Sequence, residues 1–540
     1  MMSIFLTQAQ DLGNISDIPV LKASGGVGFN TMYTNTNDTT NQRDPFFWQF
    51  QANLNLNLLG IIDAPFSLVL NSQENTVNQP ALPTQFGISP NYKAVTGHFG
   101  YRTMRFSEYS LGGLMFLGGG LEVKPKDHWL SGSMMYGRFS EALQPIEGTG
   151  LGKYERRGYG IRLNAGDNQN YVSLIGFRAR DDSTSIDTSL LTEDIAPQDN
   201  LIWAISAGKQ LGRFNINAEY TTSAITRDTR NDDVLFNDFS YYNNLGGLFY
   251  ANATTVVRSA IVLNTNLAMD WYNVKFGYRR VAPDFSSLGA TSINDDLEEI
   301  SGGLGFQLFE NKVSVNGDLG VQRNNLDKSA AEGIRKLVTS FNVFWMASQK
   351  LNFNASYSNF NSNTVRTATI DSDTLEFFQV STNGSFMTTY QLSQSTPQSI
   401  VFNANYQEAT DADDNANNAF NGNVAYTVAF PESKLAGSAS YNYNITSAAG
   451  MDILTLGPTV SLSKPIREKV NLAMSLSLLK SSIDQQDQNN ITNINFSCRY
   501  TLKQKHSFAL TYLYTDRKSM VEGVLSVTEN RANINYNYRF

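Results

Sequence analysis

Apolar and polar residues alternate along most of this chain with a period of two. In the last segment Ala532, Ile534, Tyr536, Tyr538 and Phe540 share one face of an extended strand, and Arg531, Asn533, Asn535, Asn537 and Arg539 share the other. Trp48, Phe50, Ala52, Leu54, Leu56 and Leu58 alternate in the same way with Gln49, Gln51, Asn53, Asn55 and Asn57. The pattern returns at Leu351, Phe353, Ala355 and Tyr357, at Val470, Leu472, Met474, Leu476 and Leu478, and at Ile494, Phe496, Cys498 and Tyr500. Such runs predict β-strands with one apolar face each. No segments of helical period accompany them to cover those faces, so lipid is the expected cover on one side and water on the other.

The connections alternate between short and long. Short turns are expected near Gly60–Asp63, Lys124–Asp127, Gly166–Asn168, Lys209–Gly212, Asp270–Trp271, Glu310–Lys312, Gln349–Lys350, Ser393–Pro397, Pro431–Lys434, Lys464–Glu468 and Gln504–Lys505. Longer polar loops fall between them, over 34–44, 140–157, 180–199, 226–244, 294–299, 407–419 and 481–490. This is the rhythm of a membrane barrel with tight turns at one end and loops at the other. The expected fold is therefore all-β, a single closed antiparallel transmembrane β-barrel of about 24 strands (range about 22–26), occupying residues 21–540. Residues 72–110 do not fit the parity of the turns. They are read as a loop folded into the lumen, a constriction carrying Tyr101, Arg102, Arg105 and Tyr109. The alternative is a further hairpin in the wall.

Composition agrees with a two-faced sheet. Only 17% of the 540 residues are charged, below the ~25% usual for soluble domains, while aromatics reach 12% and the mean hydropathy is −0.29. No run of 18 apolar residues exists, which excludes a helical span. A net charge of −8 without a basic cluster argues against nucleic acid as a partner. The polar face is mostly Asn, Ser, Thr and Gln. Its sparse charges, Arg162, Glu219, Lys275, Arg279, Asp318, Arg499, Arg531 and Arg539, are expected to line the lumen. Such a wall suits uncharged hydrophilic solutes, although any water-facing side of a sheet needs polar residues.

Little suggests chemistry. Cys498 falls on the apolar side of its strand with no histidine near it, so a catalytic thiol is not expected. His98, His128 and His506 lie far apart, and no serine or carboxylate partner for His98 is legible. Asp411, Asp413 and Asn415 have the opening spacing of a calcium loop, but Ala416 and Gly422 stand where Gly and Glu are required. Gly118, Gly119 and Gly120 match no phosphate loop and are expected to mark a kink where the inward loop packs. No enzyme activity, metal or cofactor is expected.

The C-terminal NINYNYRF resembles the last strand of bacterial outer-membrane β-barrels. That resemblance implies that Tyr536, Tyr538 and Phe540 form the signal read by the barrel-assembly machinery, and that this strand pairs with the first. The Asn- and Tyr-rich style is similar to Bacteroidota porin-like barrels. So is the start, where Thr7 and Ala9 suit a signal-peptidase site leaving Gln10. Residues 1–9 are then the remainder of a signal peptide and 10–20 a periplasmic lead. The implied setting is the outer membrane, with its lipid and lipopolysaccharide, the assembly machinery, and other outer-membrane proteins or lipoproteins as partners. With no room for an N-terminal plug, a TonB-dependent receptor is disfavoured. Two functions stay open: a diffusion channel for small hydrophilic solutes, or a non-transport subunit or scaffold of a secretion or barrel-assembly complex.

Overall fold

The structure is a computed structural model that describes residues 20–38, 45–72, 84–126, 128–145, 152–190, 195–232, 248–249, 251–330, 332–366, 378–410, 416–448, 450–467 and 469–540. The strands, in chain order, begin with β1 (Leu21–Thr36), β2 (Phe46–Leu58), β3 (Ile62–Asn71), β4 (Gln85–Ile88), β5 (Asn91–Tyr92), β6 (Val95–Arg105) and β7 (Gly112–Val123). There follow β8 (Leu130–Ser140), β9 (Arg156–Gly166), β10 (Tyr171–Asp181), β11 (Asp199–Leu211), β12 (Phe214–Thr226), β13 (Thr255–Ala268) and β14 (Tyr272–Val281). Next come β15 (Leu297–Leu308), β16 (Val313–Arg323), β17 (Glu332–Met346), β18 (Leu351–Arg366), β19 (Phe378–Ser393), β20 (Gln398–Thr410) and β21 (Ala416–Phe430). The last are β22 (Leu435–Ala448), β23 (Met451–Ile466), β24 (Val470–Ile483), β25 (Gln486–Leu502), β26 (His506–Ser519) and β27 (Val527–Arg539).

Neighbours in the chain pair antiparallel, and β1 closes the sheet on β27, with Gly26 opposite Arg539 and Thr36 opposite Glu529. Gly25 and Phe540 exchange both backbone hydrogen bonds at the seam, at 3.3 and 3.1 Å. Closure leaves no row of unpaired N–H and C=O groups, which hydrocarbon could not satisfy.

The pairing corrects the strand count. β4 and β5 both lie between β3 and β6: Phe66–Val69 face Gln85–Ile88, Asp63 faces Asn91, and Asn91 and Tyr92 face Thr96 and Val95. They are one wall strand interrupted at Ser89–Pro90. The 27 segments therefore make a closed barrel of 26 strands, not about 24. Each of the eleven expected short turns falls at the junction of two consecutive strands of the wall, with Asp127 and Glu468 outside the described residues. A twelfth, Lys93–Ala94, escaped because it contains no Gly, Asn or Pro, and Lys93 itself takes the positive φ of 53°. Pro90, with no N–H to give the ladder, breaks the alternation on which a strand assignment depends. Residues 85–105 thus belong to the wall instead of an inward loop.

Two expected loops are largely strand. β24 and β25 meet at Asp484–Gln485, so most of 481–490 is in the ladder, and β20 and β21 take up 407–410 and 416–419. These polar stretches extend the sheet beyond its apolar band, where both faces meet water. Asp411, Asp413 and Asn415 lie outside the described residues.

The outward face carries Ile161, Leu163, Leu174, Trp203, Ile205, Phe276, Leu304, Leu319, Leu462, Met474 and Ile534, all exposed. Aromatic rings collect near the short-turn end of this face: Trp345 stacks on Phe353 at 5.3 Å, Phe353 meets Phe386 at 6.1 Å, and Trp271 stacks on Phe306 at 6.1 Å. An apolar band bordered by aromatic residues is what a bilayer and its interfaces require. Among the described residues the one helical element is a single 3-10 turn, Thr188–Leu190, and no helix is long and apolar enough to cross a membrane.

Candidate luminal site

The inner wall from β4 to β9 is floored by glycine. Gly87, Gly100, Gly118, Gly137 and Gly158 stand directly opposite one another on successive strands. A Cβ on Gly118 would fall 2.1 Å from the Tyr136 carbonyl oxygen, and one on Gly137 would fall 2.5 Å from the Phe116 ring. The missing side chains let larger neighbours lie down on the wall: Phe116 over Gly137, and Met104 over Gly120. The glycines expected to mark a kink thus form a floor for packing.

An apolar shelf rests on this floor inside the barrel. Met104, Phe106, Leu111, Phe116, Met135, Ile175, Phe177, Ile202 and Leu288 form one buried cluster. Phe106 and Leu111 come from the short β6–β7 connection, whose ends are joined by a 2.9 Å bond from Phe106 N–H to the Leu111 carbonyl. Leu288 comes from the β14–β15 connection, residues 282–296, which runs back along the inner wall. The Leu288 N–H donates to Asn200 Oδ1 (3.1 Å), Ser287 Oγ to the Ser110 carbonyl (2.6 Å), and Ser223 Oγ to the Ser286 carbonyl (2.7 Å). A second cluster joins Tyr109 to Phe285, Ala260 and Val281, with the Tyr109 and Phe285 rings edge to face at 5.8 Å.

The four residues of the expected constriction therefore separate. Tyr101 sits on the outward face, edge-on to Phe86 at 6.1 Å. Arg102 points inward and spans the short β4, donating to Ser67 Oγ (2.7 Å) and to the Pro65 carbonyl (3.3 Å). Arg105 should face outward by alternation. A bulge between Thr103 and Arg105 resets its pairing to Gly112 and turns it into the lumen. Tyr109 belongs to the shelf. Inward folding is thus real, but its elements are 106–111 and 282–296. The latter was missed because PDFSSLGATSIN carries no period, and its apolar residues find partners only across the barrel.

Below the shelf, towards the short turns, a cavity of about 670 Å³ is lined by Arg105, Glu122, Lys124, Lys126, His128, Ser133, Arg162, Asn164 and Asp167, among others. Arg162 donates to the Phe106 carbonyl (3.4 Å) and Ser173 Oγ (3.3 Å), so it props the shelf from beneath. A smaller recess of about 290 Å³ lies under Tyr109, lined by Glu108, Arg279 and Glu299. Arg279 is paired with Glu299 at 2.5 Å.

The other expected lumen charges are spread round the wall. Glu219 accepts from Thr221 Oγ1 (2.9 Å), Asp318 from Ser340 Oγ (3.5 Å), and Arg531 pairs with Glu529 (2.6 Å). Lys275 stands opposite Asn266 and Gly303, and Arg499 opposite Asn471 and Ala509. They form no single site. His98 has neighbours that the sequence did not reveal. Its Nδ1 lies 3.0 Å from Ser89 Oγ, and its Nε2 lies 3.9 Å from Glu122, which Lys124 holds at 2.5 Å. The Nε2 contact is too long for the hydrogen bond that would orient a general base. At the seam, Tyr536 bonds His506 Nδ1 (2.9 Å) and Tyr538 stacks near Phe540 (5.5 Å), joining the outer aromatic border. No group of metal-ligating side chains occurs among the described residues.

No protein-family model matches this chain, and no curated protein matches it. Among solved structures it is similar to the P pilus usher PapC translocation pore, at 9% identity and a TM-score of 0.37, covering 95% of this chain and 99% of that one. It is similar to the ferric yersiniabactin uptake receptor FyuA from Yersinia pestis, at 9% identity and a TM-score of 0.40, covering 96% and 80%. The FrpB iron transporter from Neisseria meningitidis aligns at 11% identity with a TM-score of 0.42, covering 96% and 81%.

Proposed function

We propose that this chain is a bacterial outer-membrane barrel acting as a diffusion channel for small hydrophilic solutes. The supporting observation is the combination of a closed 26-strand wall, apolar outside and polar inside, with a shelf laid along one side. A barrel this wide encloses more space than its own side chains can fill, so water occupies what the shelf does not. The shelf narrows the lumen and replaces part of a polar wall with a rigid apolar surface. The Asn, Ser and Thr of the remaining wall exchange hydrogen bonds with hydroxyl-rich solutes without trapping them. Reconstitution of the full chain into liposomes tests the reading: solute-driven swelling with small sugars is expected, and a folded barrel that admits none overturns it.

A second reading has its own support. The connections on the shelf side are tied together: Gln144 bonds the Ser185 carbonyl (3.0 Å), and Tyr154 bonds the Ile195 carbonyl (3.1 Å). Joined loops of this kind suit a docking surface of a larger outer-membrane complex. Native purification decides between the two. A stoichiometric co-purifying partner favours the scaffold, and a barrel isolated alone favours the channel.

A further inference from the structure

We infer that the cavity beneath the shelf is an anion-binding site for small solutes that carry a phosphate or carboxylate group. The inference rests on the channel reading only for the route by which such a solute arrives. Four cationic side chains, Arg105, Lys124, Lys126 and Arg162, line this cavity together with two carboxylates, Glu122 and Asp167. Both carboxylates are already engaged. Glu122 is held by Lys124 at 2.5 Å, and Asp167 accepts the backbone N–H groups of Gln169 and Asn170, each at 2.7 Å. Arg105 has no hydrogen bond or ion pair among the described residues, and the Nε of Arg162 is buried without a partner.

Several inner-wall arginines elsewhere are paired with carboxylates. Arg156 pairs with Asp181 at 2.7 Å, Arg279 with Glu299 at 2.5 Å, and Arg531 with Glu529 at 2.6 Å. Arg105 and Arg162, by contrast, have no carboxylate partner among the described residues, and both line this one cavity. Arg105 is exposed to the cavity, so its guanidinium is free to meet an anion that enters from water. The wall also departs from regular pairing at the Thr103–Arg105 bulge, and that departure is what turns Arg105 into the cavity. Two planar donor forks suit the bidentate geometry of phosphate and carboxylate oxygens. Ser133 and Asn164 on the same walls supply neutral hydrogen bonds for the rest of a polar solute.

The test is calorimetric titration of the full barrel in detergent with glucose 6-phosphate and, separately, with glucose. Glucose 6-phosphate is expected to bind and glucose to give no heat. Arg105→Gln, which removes no contact of the fold, is expected to weaken glucose 6-phosphate binding about tenfold or more. Arg531→Gln, an equal charge change on a distant strand, is expected to leave it unchanged. Failure of glucose 6-phosphate to bind the folded barrel, equal affinity in Arg105→Gln, or equal loss in Arg531→Gln each overturns the site. Liposome swelling is read on the same preparation. Swelling without binding removes the site and keeps the channel, whereas binding without swelling removes the channel and keeps the site.

Discussion

Ile534 and Asn535 are neighbours in the last strand that face opposite surroundings. Ile534 is half exposed on the apolar side, opposite Thr31 and Leu510, while Asn535 faces inward opposite Asn30 and Ala509. Replacing Ile534 with Arg should cost about 2–4 kcal/mol near mid-bilayer, and Asn535→Arg should be nearly neutral. Heat-modifiability on gels checks this, and equal damage from both variants would refute the assignment of faces. A second expectation concerns the glycine floor. Gly137→Leu must displace Phe116 and crowd the Leu117 carbonyl, which would lie 2.9 Å from the new Cβ. It should destabilise the barrel by about 1–3 kcal/mol, as overpacking does. Gly384→Ala, with nothing within 4 Å, should not. Urea midpoints of the two variants give the comparison.

Among the elements, the β14–β15 connection carries the most consequence. It buries Phe285 and Leu288 against the inner wall, donates to the Ser110 carbonyl and Asn200 Oδ1, and accepts from Ser223 Oγ. Replacing 284–293 by a short Gly-Ser linker should raise single-channel conductance in planar bilayers while the barrel stays folded. Unchanged conductance would mean that the shelf does not narrow the path. The β12–β13 connection offers a pH test. Arg230 beside Asp228 holds the Asp228 carboxyl below its ordinary range, against the opposing effect of partial burial. Because the folded group is the more acidic, its contribution is present above the unfolded carboxylate pKa of about 3.9 and is lost as pH falls through the folded value. Protection factors for amide exchange near Asn252 and Thr254, which bond the Asp228 carbonyl and amide, should therefore be steady from neutral pH down to about 5, and should fall only in stronger acid.

At the scale of the whole molecule, the barrel has two unlike sides. Strands β17–β27 are mostly 13–17 residues long and meet at tight connections such as Asp484–Gln485. Strands β6–β16 are mostly 10–14 residues long, and their connections fold inward or onto one another. The long strands carry the sheet past the apolar band, and the short ones leave chain free to build the shelf. Closure itself is testable. In a Cys498→Ser background, Val27→Cys and Tyr538→Cys stand opposite each other across the β1–β27 seam. Paired positions in an antiparallel ladder lie within disulfide reach. Oxidation should give an intramolecular crosslink that shifts gel mobility, and its absence in the folded protein would reject the closed seam.

Much of this architecture is local and was readable before any folding was considered. Alternation sorts side chains by face because successive Cβ atoms in a strand point to opposite sides. Turns such as Pro431–Lys434 announce themselves by composition. Hence the all-β class and the eleven turns followed from the chain alone, while the seam pairing of the C-terminal strand was implied by its resemblance to the last strand of outer-membrane barrels. The strand of 85–92 did not, because Pro90 interrupts its pattern and Lys93–Ala94 turns without a turn residue. Nor did the site. Arg105 reaches the lumen only through a bulge, which is a property of its pairing with β7 and not of its own segment. Arg162 meets the Phe106 carbonyl across 56 positions of sequence, and Ser287 meets Ser110 across 177. Contacts of that range leave no period in the sequence; they exist because closing the sheet brings distant strands round to a common interior.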